Sequence, residues 1–572
     1  MTAAGPARAG VVAEFERERR RLLVRHRAQA AFGVVLFSLV LAISLQRSGF
    51  LNADLGDDPL ARIGVFLGRL NPKLRPDVIL ADRKTAGSLA YWFYDLPLWL
   101  RAARQTLEMA VLATTMGAMG AVGASFLCAR NLMPIAPVRF VVRRTLEAIR
   151  TLPEMILALI LVAAFGIGPF AGVLALTVST IGGLGKLFAE INEQVDPRPL
   201  EAIEATGANR IRQIRYGLLP QVLPAYASYA LIRLEGNLAA ATALGIVGAG
   251  GIGLELQRAI TYTEFDTYLA ILLLMVSMIF AIDIVSEQIR HRLIGLGGRR
   301  GARIAPKRAP TAAASSGATV WTRLAPPCLT LLAAVVLVMM AIDVDFVPWR
   351  LLNGAGRLGR LIGAMIPPSS GGQSLRILRS LGETVAMAFV ATLLAAVMAL
   401  PIGVLGAKTV VSQPAAHFLF RRVLDLFRGV PALVWALILV SAFGLGPFAG
   451  VCALALADIP NLAKLYAESI ENADARPIEG VRSTGAPSLA VVRLGLLSQV
   501  APVMASQCLY FLESNFRNAA VLGIVGAGGI GFELGERIRV FDFNIAAFII
   551  ILYMLTVALL DFVSRALRQR LG

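Results

Sequence analysis

Charged side chains are scarce in this chain of 572 residues. Asp, Glu, Lys and Arg make up 16% of it and hydrophobic residues 57%, whereas soluble domains carry about a quarter charged residues. This composition excludes an ordinary soluble protein and predicts a polytopic protein embedded in a lipid bilayer. Acidic residues are the scarcer kind, 37 against 55 basic ones, which leaves a formal net charge of +18.

The excess of positive charge has two interpretations. Nucleic acid is one conceivable partner of so basic a chain. The Lys and Arg residues cluster at the ends of apolar runs, however, and the preference for positive charge on the cytoplasmic side of a membrane accounts for them there. We therefore expect no nucleic-acid partner.

Cysteine and histidine are also rare. The four cysteines are scattered in or beside apolar segments, with neither a disulfide framework nor the spacing of a metal site. The three histidines fall in segments that we expect to be cytoplasmic, where they cannot form a proton relay inside the membrane. We therefore expect neither a metal site nor catalytic residues. The residues concerned are Cys128, Cys328, Cys452, Cys508, His26, His291 and His417.

The phosphate-binding motif G-x-x-x-x-G-K-[ST] is absent as well. The pair Gly185-Lys186 is followed by Leu187 rather than by Ser or Thr. The full motif would cradle the phosphates of ATP with backbone N–H groups and a lysine. We therefore expect no cofactor in this chain, and ATP and Mg²⁺ would have to bind a separate ATPase subunit.

Long apolar runs dominate what is present. Most are close to the length of about 20 residues that an α-helix needs to cross the hydrocarbon core of a bilayer. They predict an all-α fold of about twelve transmembrane helices, half of them in each half of the chain. The predicted spans are 30–45, 106–128, 146–165, 170–191, 218–244, 265–285, 329–342, 384–405, 424–443, 448–470, 496–522 and 544–562.

The segments between these runs divide the chain. Residues 1–29 form a basic arm that should hold the N-terminus in the cytoplasm. Residues 30–294 form a first repeat, and we place its long loop, 46–103, outside the membrane. Residues 295–327 are rich in Gly, Ala, Pro and Ser and predict a flexible cytoplasmic linker to the second repeat, 328–572. We expect a multi-pass protein of the cytoplasmic membrane with both termini in the cytoplasm.

The second half repeats the first at a constant offset of 278 residues. AFGIGPFAGV at 164–173 returns as AFGLGPFAGV at 442–451, and LGIVGAGGIG at 244–253 recurs unchanged at 522–531. An even number of spans per repeat makes both copies face the same way. The two repeats should therefore be related by a pseudo-twofold axis along the membrane normal.

A polar, amphipathic segment interrupts the apolar runs at 196–224 and again at 474–502. In the first copy Asp196 is a good helix N-cap, Glu201 suits the positive end of the helix dipole, and Gly207 supplies a left-handed stop. Such a segment predicts a docking surface at the cytoplasmic face, and two of them predict a dimeric partner. The candidate docking residues are Glu201, Ala202, Gly207, Glu479, Gly480 and Gly485.

The repeated glycine motif has three interpretations. GAGGIG satisfies the dinucleotide pattern G-x-G-x-x-G, but no strand precedes it, so we reject that interpretation. The others are close helix packing through small residues and a re-entrant or gating turn that lines a pore near the outer face. We favour the pore, because two identical turns could meet at the axis. The residues concerned are Gly248, Gly250, Gly251, Gly253, Gly526, Gly528, Gly529 and Gly531.

Several polar residues lie at membrane depth, where such residues normally face a bundle interior or a water-filled cavity. Lys186 and Lys464 each stand four residues before a glutamate. Each lysine therefore has two interpretations, an ion pair within its own helix or a cation on the path of an anionic solute. Arg517, where the first copy has Ala239, either pairs with Glu513 or lies on that path. The candidate path residues are Lys186, Glu235, Asn237, Lys464, Glu513, Asn515 and Arg517.

With these motifs the chain resembles the phosphonate-importer permease family, as two copies fused head to tail. The similarity begins near residue 100 of the first half and covers most of each repeat. The second copy departs from the first at 458–461, and it has Gly480 and Ser498 where the first has Ala202 and Pro220. The motifs are GIGPFAGVLAL (166–176), IGGLGKLFAEI (181–191), EAIEATGA (201–208), LLPQVLP (218–224) and LGIVGAGGIG (244–253).

The resemblance implies a type I ABC-importer permease fold and a homodimer of ATP-binding subunits on the cytoplasmic side. It also implies a solute-binding protein outside the membrane and a phosphonate, phosphite or phosphate anion as cargo. Import of another small solute, such as methionine, is the alternative within this class. An ion-coupled secondary transporter is the alternative from another class, and the docking segments argue against it because it has no ATPase to dock.

Overall fold

The computed structural model describes residues 5–51, 64–65, 68–69, 71–301, 320–408 and 413–571, and in these residues all regular structure is helical. The first half contains α1 (Gly5–Arg47), α2 (Leu89–Trp92), α3 (Leu96–Cys128), α4 (Ala136–Thr151), α5 (Glu154–Phe165), α6 (Pro169–Glu193), α7 (Arg198–Glu204), α8 (Arg210–Arg212), α9 (Leu219–Leu244), α10 (Ile252–Thr261) and α11 (Phe265–Gly301). The second contains α12 (Val320–Asp343), α13 (Pro348–Ala364), α14 (Ser374–Gly406), α15 (Pro414–Arg428), α16 (Ala432–Phe443), α17 (Pro447–Glu471), α18 (Ala475–Ser483), α19 (Ser488–Ala490), α20 (Leu497–Leu522), α21 (Gly529–Arg539) and α22 (Phe543–Leu571).

The duplication seen in the sequence is also a duplication of structure. Helices α3, α6 and α9 recur as α14, α17 and α20, with both ends of each shifted by the same 278 residues. A π-helical segment precedes α9 and α20, and another follows each of them. The predicted fold class, an all-α membrane protein built of two equivalent repeats, is confirmed.

Eight helices of the described residues are long and apolar enough to cross a membrane, and ten spans result if two bent helix pairs are counted. The first predicted span of each half coincides with a shorter apolar stretch, Ala31–Arg47 and Leu331–Asp343. Several predicted boundaries were wrong. Helix α3 begins at Leu96 and α14 at Ser374, about three turns earlier than predicted, so the outer loop ends sooner than residue 103.

The spans predicted at 146–165 and 424–443 are not continuous helices. The chain bends by 92° between α4 and α5 and by 76° between α15 and α16. Each bend precedes a proline, Pro153 or Pro431. Proline lacks the N–H that continues a helix and pushes the preceding residue towards extended backbone, which Leu152 adopts with ψ of 124°.

The predicted flexible linker is shorter than 295–327. Helix α11 continues to Gly301 and α12 begins at Val320, so the ends of the predicted linker are helical. Residues 302–319 lie outside the described residues. At the N-terminus, the predicted arm is helical from Gly5 and continuous with the first apolar stretch.

The first long helix of each half packs against the other half. Helix α1 lies on α14, where the rings of Phe37 and Phe389 are 5.8 Å apart. Helix α12 lies on α3, where Arg104 Nη2 is 3.2 Å from Asp343 Oδ2. A single buried core also joins the halves. The two repeats therefore hold each other through exchanged helices, independently of the covalent connection between them.

This exchange predicts that the covalent connection is dispensable. Residues 1–300 and 315–572, expressed as separate polypeptides, should insert and copurify as one complex, because the close packing between the helices of the two halves remains. Affinity purification through a tag on one fragment measures the result. Recovery of each fragment alone from the membrane, with no copurification, would show that the connection does more than tether.

Candidate functional site

The first predicted docking segment forms the short helix α7. Its backbone starts beside Asp196, whose Oδ1 accepts a hydrogen bond from the Arg198 N–H at 3.1 Å. It ends before Gly207, which has a left-handed φ of +76°. Glu201, Ala202 and Gly207 are all exposed, so the segment presents a free surface in the chain alone.

The second docking segment, α18, has the same design. Asp474 caps it by accepting a hydrogen bond from the Arg476 N–H at 3.0 Å, and Gly485 follows with φ of +71°. Glu479, Gly480 and Gly485 are exposed. Helix α18 contains nine residues where α7 contains seven.

Each docking helix is tied to the membrane helix that follows it, a contact that sequence inspection missed. Gln221, in the first turn of α9, donates to the Asp196 carbonyl at 3.5 Å. At the equivalent place Gln499 donates to the Asp474 carbonyl at 3.1 Å and accepts from the Asp474 N–H at 3.0 Å. These bonds join the start of α7 and of α18 to a long apolar helix. The glutamine that recurs at the 278-residue offset could have indicated this contact from the sequence.

The glycine turns are buried packing elements in this conformation. The Gly168 N–H donates to the Gly248 carbonyl at 2.9 Å, so the turn after α9 is joined to the turn between α5 and α6. The bond from Gly446 to Gly526 repeats this contact at 3.0 Å. Positive φ angles, which favour glycine, occur at Gly248, Gly250, Gly251, Gly526, Gly528 and Gly529.

The last glycine of each turn allows two backbones to approach. A Cβ on Gly253 would lie 1.9 Å from the Thr242 carbonyl oxygen, and one on Gly531 would lie 1.8 Å from that of Ala520. Both glycines are buried. In the structure these turns pack closely against their neighbours, which is the interpretation that we did not favour. A role in lining the pore stays a prediction.

Described residues of both repeats line two charged cavities. The first, here the Arg517 cavity, has a volume of about 470 Å³. Its polar and charged lining is Arg150, Glu154, Ser179, Lys186 and Arg233 of the first repeat with Tyr510, Glu513, Arg517, Asn518, Asp561, Arg565 and Arg568 of the second.

The second, here the Arg290 cavity, has a volume of about 750 Å³. The two cavities are pseudo-symmetric, because Arg150, Lys186, Asp561 and Arg568 of the first correspond by the 278-residue offset to residues of the second. The charged lining of the Arg290 cavity, with its histidine, is Asp283, Glu287, Arg290, Lys408, His417, Arg421, Arg422, Asp425, Arg428 and Lys464.

The two predicted lysines line these cavities but do not pair along their own helix. Lys186 Nζ lies 3.2 Å from Glu147 Oε1, on α4, rather than pairing with Glu190. Lys464 Nζ lies 3.0 Å from Asp425 Oδ1, on α15. The expected pairs four residues apart are therefore wrong. The bends before α5 and α16 place the single acidic residue of α4 and that of α15 against these lysines.

The two deep glutamates neutralise arginines of the last helix of each repeat. Glu235 pairs with Arg290 at 2.9 Å, and Glu513 lies 3.7 Å from Arg568. Arg517 makes an additional bond of 2.8 Å to Glu513, as one of our two alternatives predicted. Arg517 also lines the cavity named after it, so the other alternative remains open.

The two asparagines predicted on the path line neither of these two cavities. Both are completely buried. Asn237 donates to Thr114 and Thr180, each at 2.9 Å. Asn515 donates to Thr392 at 2.9 Å and to Asp458. They therefore join the helices within one repeat.

Sequence inspection missed a polar cluster in the Arg517 cavity. Arg233 Nη2 donates to Glu154 Oε1 at 2.9 Å and to Ser179 Oγ at 2.7 Å. Ser179 donates to the same Glu154 oxygen at 2.8 Å. The difference between the repeats could have pointed to this cluster. At the positions equivalent to Arg233, Glu154 and Ser179, the second repeat has Phe511, Ala432 and Ala457.

Metal binding has no support in the described part of the chain. No group of three or more His, Cys, Asp or Glu side chains there could hold an ion. The three cysteines whose side chains are described, Cys128, Cys452 and Cys508, are free. The side chains of His26 and Cys328 lie outside the description.

Two equivalent bundles of apolar helices, each with an exposed polar helix between long spans, are typical of membrane transport components. The chain belongs to the family of binding-protein-dependent transport system inner membrane components, which matches residues 121–295 and 399–572. This membership makes the chain the membrane component of an importer of the binding-protein-dependent class. It decides against an ion-coupled secondary transporter.

Particular relatives are also similar to the chain. The phosphate-import permease protein PhnE of Mycolicibacterium smegmatis is 34% identical over 82% of this chain and 85% of its own length. The putative phosphite transport system permease HtxC of Stutzerimonas stutzeri is 40% identical over 35% of this chain and 71% of its own length. The probable D-methionine permease MetI of Pasteurella multocida is 29% identical over 26% of this chain and 73% of its own length.

Proposed function

We propose that the chain is the permease of an importer for phosphorus oxyanions of the phosphonate, phosphite and phosphate class. The observation that carries this proposal is the similarity to a phosphate-import permease over 82% of the chain. The methionine permease is less similar and matches only 26% of the chain. The basic lining of both inter-repeat cavities also suits an anion better than a zwitterionic amino acid.

The two exposed helices α7 and α18 are, in this proposal, the contacts for two ATP-binding subunits. The aspartate that precedes each helix accepts a hydrogen bond from a backbone N–H at the helix start, and its carbonyl is hydrogen-bonded to the following membrane helix. A glycine with a left-handed φ follows each helix. Two related surfaces fit a homodimer, which would bind the ATP and Mg²⁺. A solute-binding protein would deliver the anion at the opposite face, with both termini of this chain in the cytoplasm.

We also propose that residues 30–294 and 328–572 act as the two permease repeats, with the anion passing between them. The family matches, 121–295 and 399–572, each overlap one of these ranges, and the first extends one residue beyond residue 294. Of the predicted path residues, Lys186, Glu513 and Arg517 line an inter-repeat cavity together, which keeps them in this proposal. Asn237 and Asn515 are left out of it because of their position.

The test is transport by the reconstituted system. The chain, its ATPase and its binding protein are placed in proteoliposomes, and uptake of radiolabelled phosphate, phosphite, methylphosphonate and methionine is measured. The binding protein is titrated separately with the same four solutes. ATP-dependent uptake of at least one phosphorus oxyanion supports the proposal. Uptake of methionine alone, or of none of the four, contradicts it.

A further inference from the structure

The Arg517 cavity contains one half-buried charge cluster from each repeat. On the first repeat, Glu154 and Ser179 hold the guanidinium of Arg233 at 2.9 and 2.7 Å. On the second, Glu513 holds that of Arg517 at 2.8 Å. All five side chains line the same cavity of about 470 Å³. Two guanidinium groups from opposite repeats therefore border one cavity.

Both arginines lie within helices that are long and apolar enough to cross a membrane. Arg233 is fourteen residues from the start of α9 and Arg517 is twenty from the start of α20, about 21 and 30 Å along each helix. Ionisable side chains at such depth are costly and usually mark the path of a solute or ion. Exposed fractions of 24% and 28% show that each side chain still reaches open space.

The opposite cavity shows that the fold does not need these charges. The positions equivalent to Arg233, Glu154 and Ser179 are Phe511, Ala432 and Ala457, and Ala239 stands at the position of Arg517. The helices that carry these residues, α5, α6 and α9, have the same bounds as α16, α17 and α20 after the 278-residue offset. A cluster retained only for structure would be expected on both sides of the pseudo-twofold axis.

We infer that the Arg517 cavity, and not the Arg290 cavity, is the site where the permease binds a phosphorus oxyanion in transit, with Arg233 and Arg517 as its ligands. This inference rests on the proposed function and adds the site and its asymmetry. A guanidinium presents a planar fork of donors that matches the oxygens of phosphate, phosphite or phosphonate. Two forks from opposite repeats can bind one anion from two sides.

Glu154 and Glu513 give this site its exchangeable counterions. Without cargo, they neutralise the two arginines and reduce the cost of burying the charges. An entering oxyanion competes with the carboxylates for the same N–H groups. Binding is therefore weak enough for release, which a transport site requires. The inference removes Glu235 from the path, since its partner Arg290 belongs to the other cavity.

The experiment compares matched variants in the reconstituted system of permease, ATPase and binding protein. Arg233→Ala with Glu154→Gln removes both charges of one cluster. Arg517→Ala removes one arginine and leaves Glu513 beside Arg568. The control is Arg421→Ala with Glu471→Gln, a pair of similar burial at 3.1 Å, whose arginine lines the Arg290 cavity.

We expect uptake of phosphite or phosphate to fall at least about tenfold in both Arg517-cavity variants and to stay within about twofold in the control, because charge-assisted hydrogen bonds to the anion are lost only in the former. Assembly and ATPase stimulation by the binding protein should be unchanged in all three. Arg233→Lys and Arg517→Lys should recover part of the uptake. They keep the positive charge but lack the fork.

Equal losses in the control and the Arg517-cavity variants would overturn the inference, as would normal uptake by Arg233→Ala with Glu154→Gln. If that variant does not assemble, Arg233→Lys decides. Normal uptake by Arg233→Lys would then assign Arg233 a structural role, and reduced uptake with normal assembly would support the site. Absence of oxyanion uptake by the unaltered complex would instead refute the proposed function.

Discussion

Gly253→Ala and Gly531→Ala should each abolish the assembled permease. The added Cβ would lie 1.9 Å from the Thr242 carbonyl oxygen in the first repeat and 1.8 Å from that of Ala520 in the second. In each case the clash is with backbone, which cannot rotate away as a side chain can. Overpacking in a core usually costs about 1–3 kcal/mol, and we expect the upper end of that range or more. Size-exclusion chromatography of the solubilised protein and thermal unfolding measure the effect.

Gly236→Ala is the matched control for this prediction. Gly236 lies in the same helix as Thr242, is exposed, and its added Cβ meets no atom within 4 Å. Alanine favours a helix over glycine by about 1 kcal/mol, so this variant should be as stable as the unaltered protein or slightly more stable. Equal behaviour of Gly236→Ala and Gly253→Ala would show that the glycine turns tolerate side chains and that the packing described here is wrong.

Reversing the charge of both docking helices should disconnect ATP hydrolysis from transport. Glu201 and Glu479 are exposed, and neither has an ion-pair partner within 4 Å among the described residues. Glu201→Arg with Glu479→Arg should therefore leave the folded permease intact. Opposed charges at an interface speed association and like charges oppose it, so we expect uptake to fall at least about tenfold. Copurification of the ATPase and ATP-dependent uptake are the measurements.

Glu18→Arg controls for the change in net charge alone. Glu18 is also exposed, and it lies on α1, outside α7 and α18. It should leave uptake and ATPase binding unchanged. The single variants compare the two surfaces, and we expect the larger loss from Glu201→Arg, because Gly480 has a lower intrinsic helix propensity than Ala202 at the equivalent position. Normal uptake and ATPase binding in the double variant would contradict the assignment of α7 and α18 as docking helices.

The sequence by itself determined the features that depend on nearby residues. Apolar runs of membrane length predicted the helical class, and a single offset of 278 residues predicted which helices are equivalent. Asp474 capping α18 and Gly485 ending it are interactions over a few residues, so their pattern is visible in the chain. Membership of the importer family was evident from the same local motifs.

Only the tertiary structure decided which side chains meet. The pairing of Lys186 with Glu147, rather than with Glu190, follows from the bend before α5, and Asn237 turned out to join helices within its repeat. The exchange of α1 and α12 between the halves has no local signal either. In a membrane helix many faces are apolar, so sequence periodicity does not specify which face meets which neighbour. That choice is made by the shapes of the packed helices, and it brought Arg233 and Arg517 to one cavity from opposite repeats.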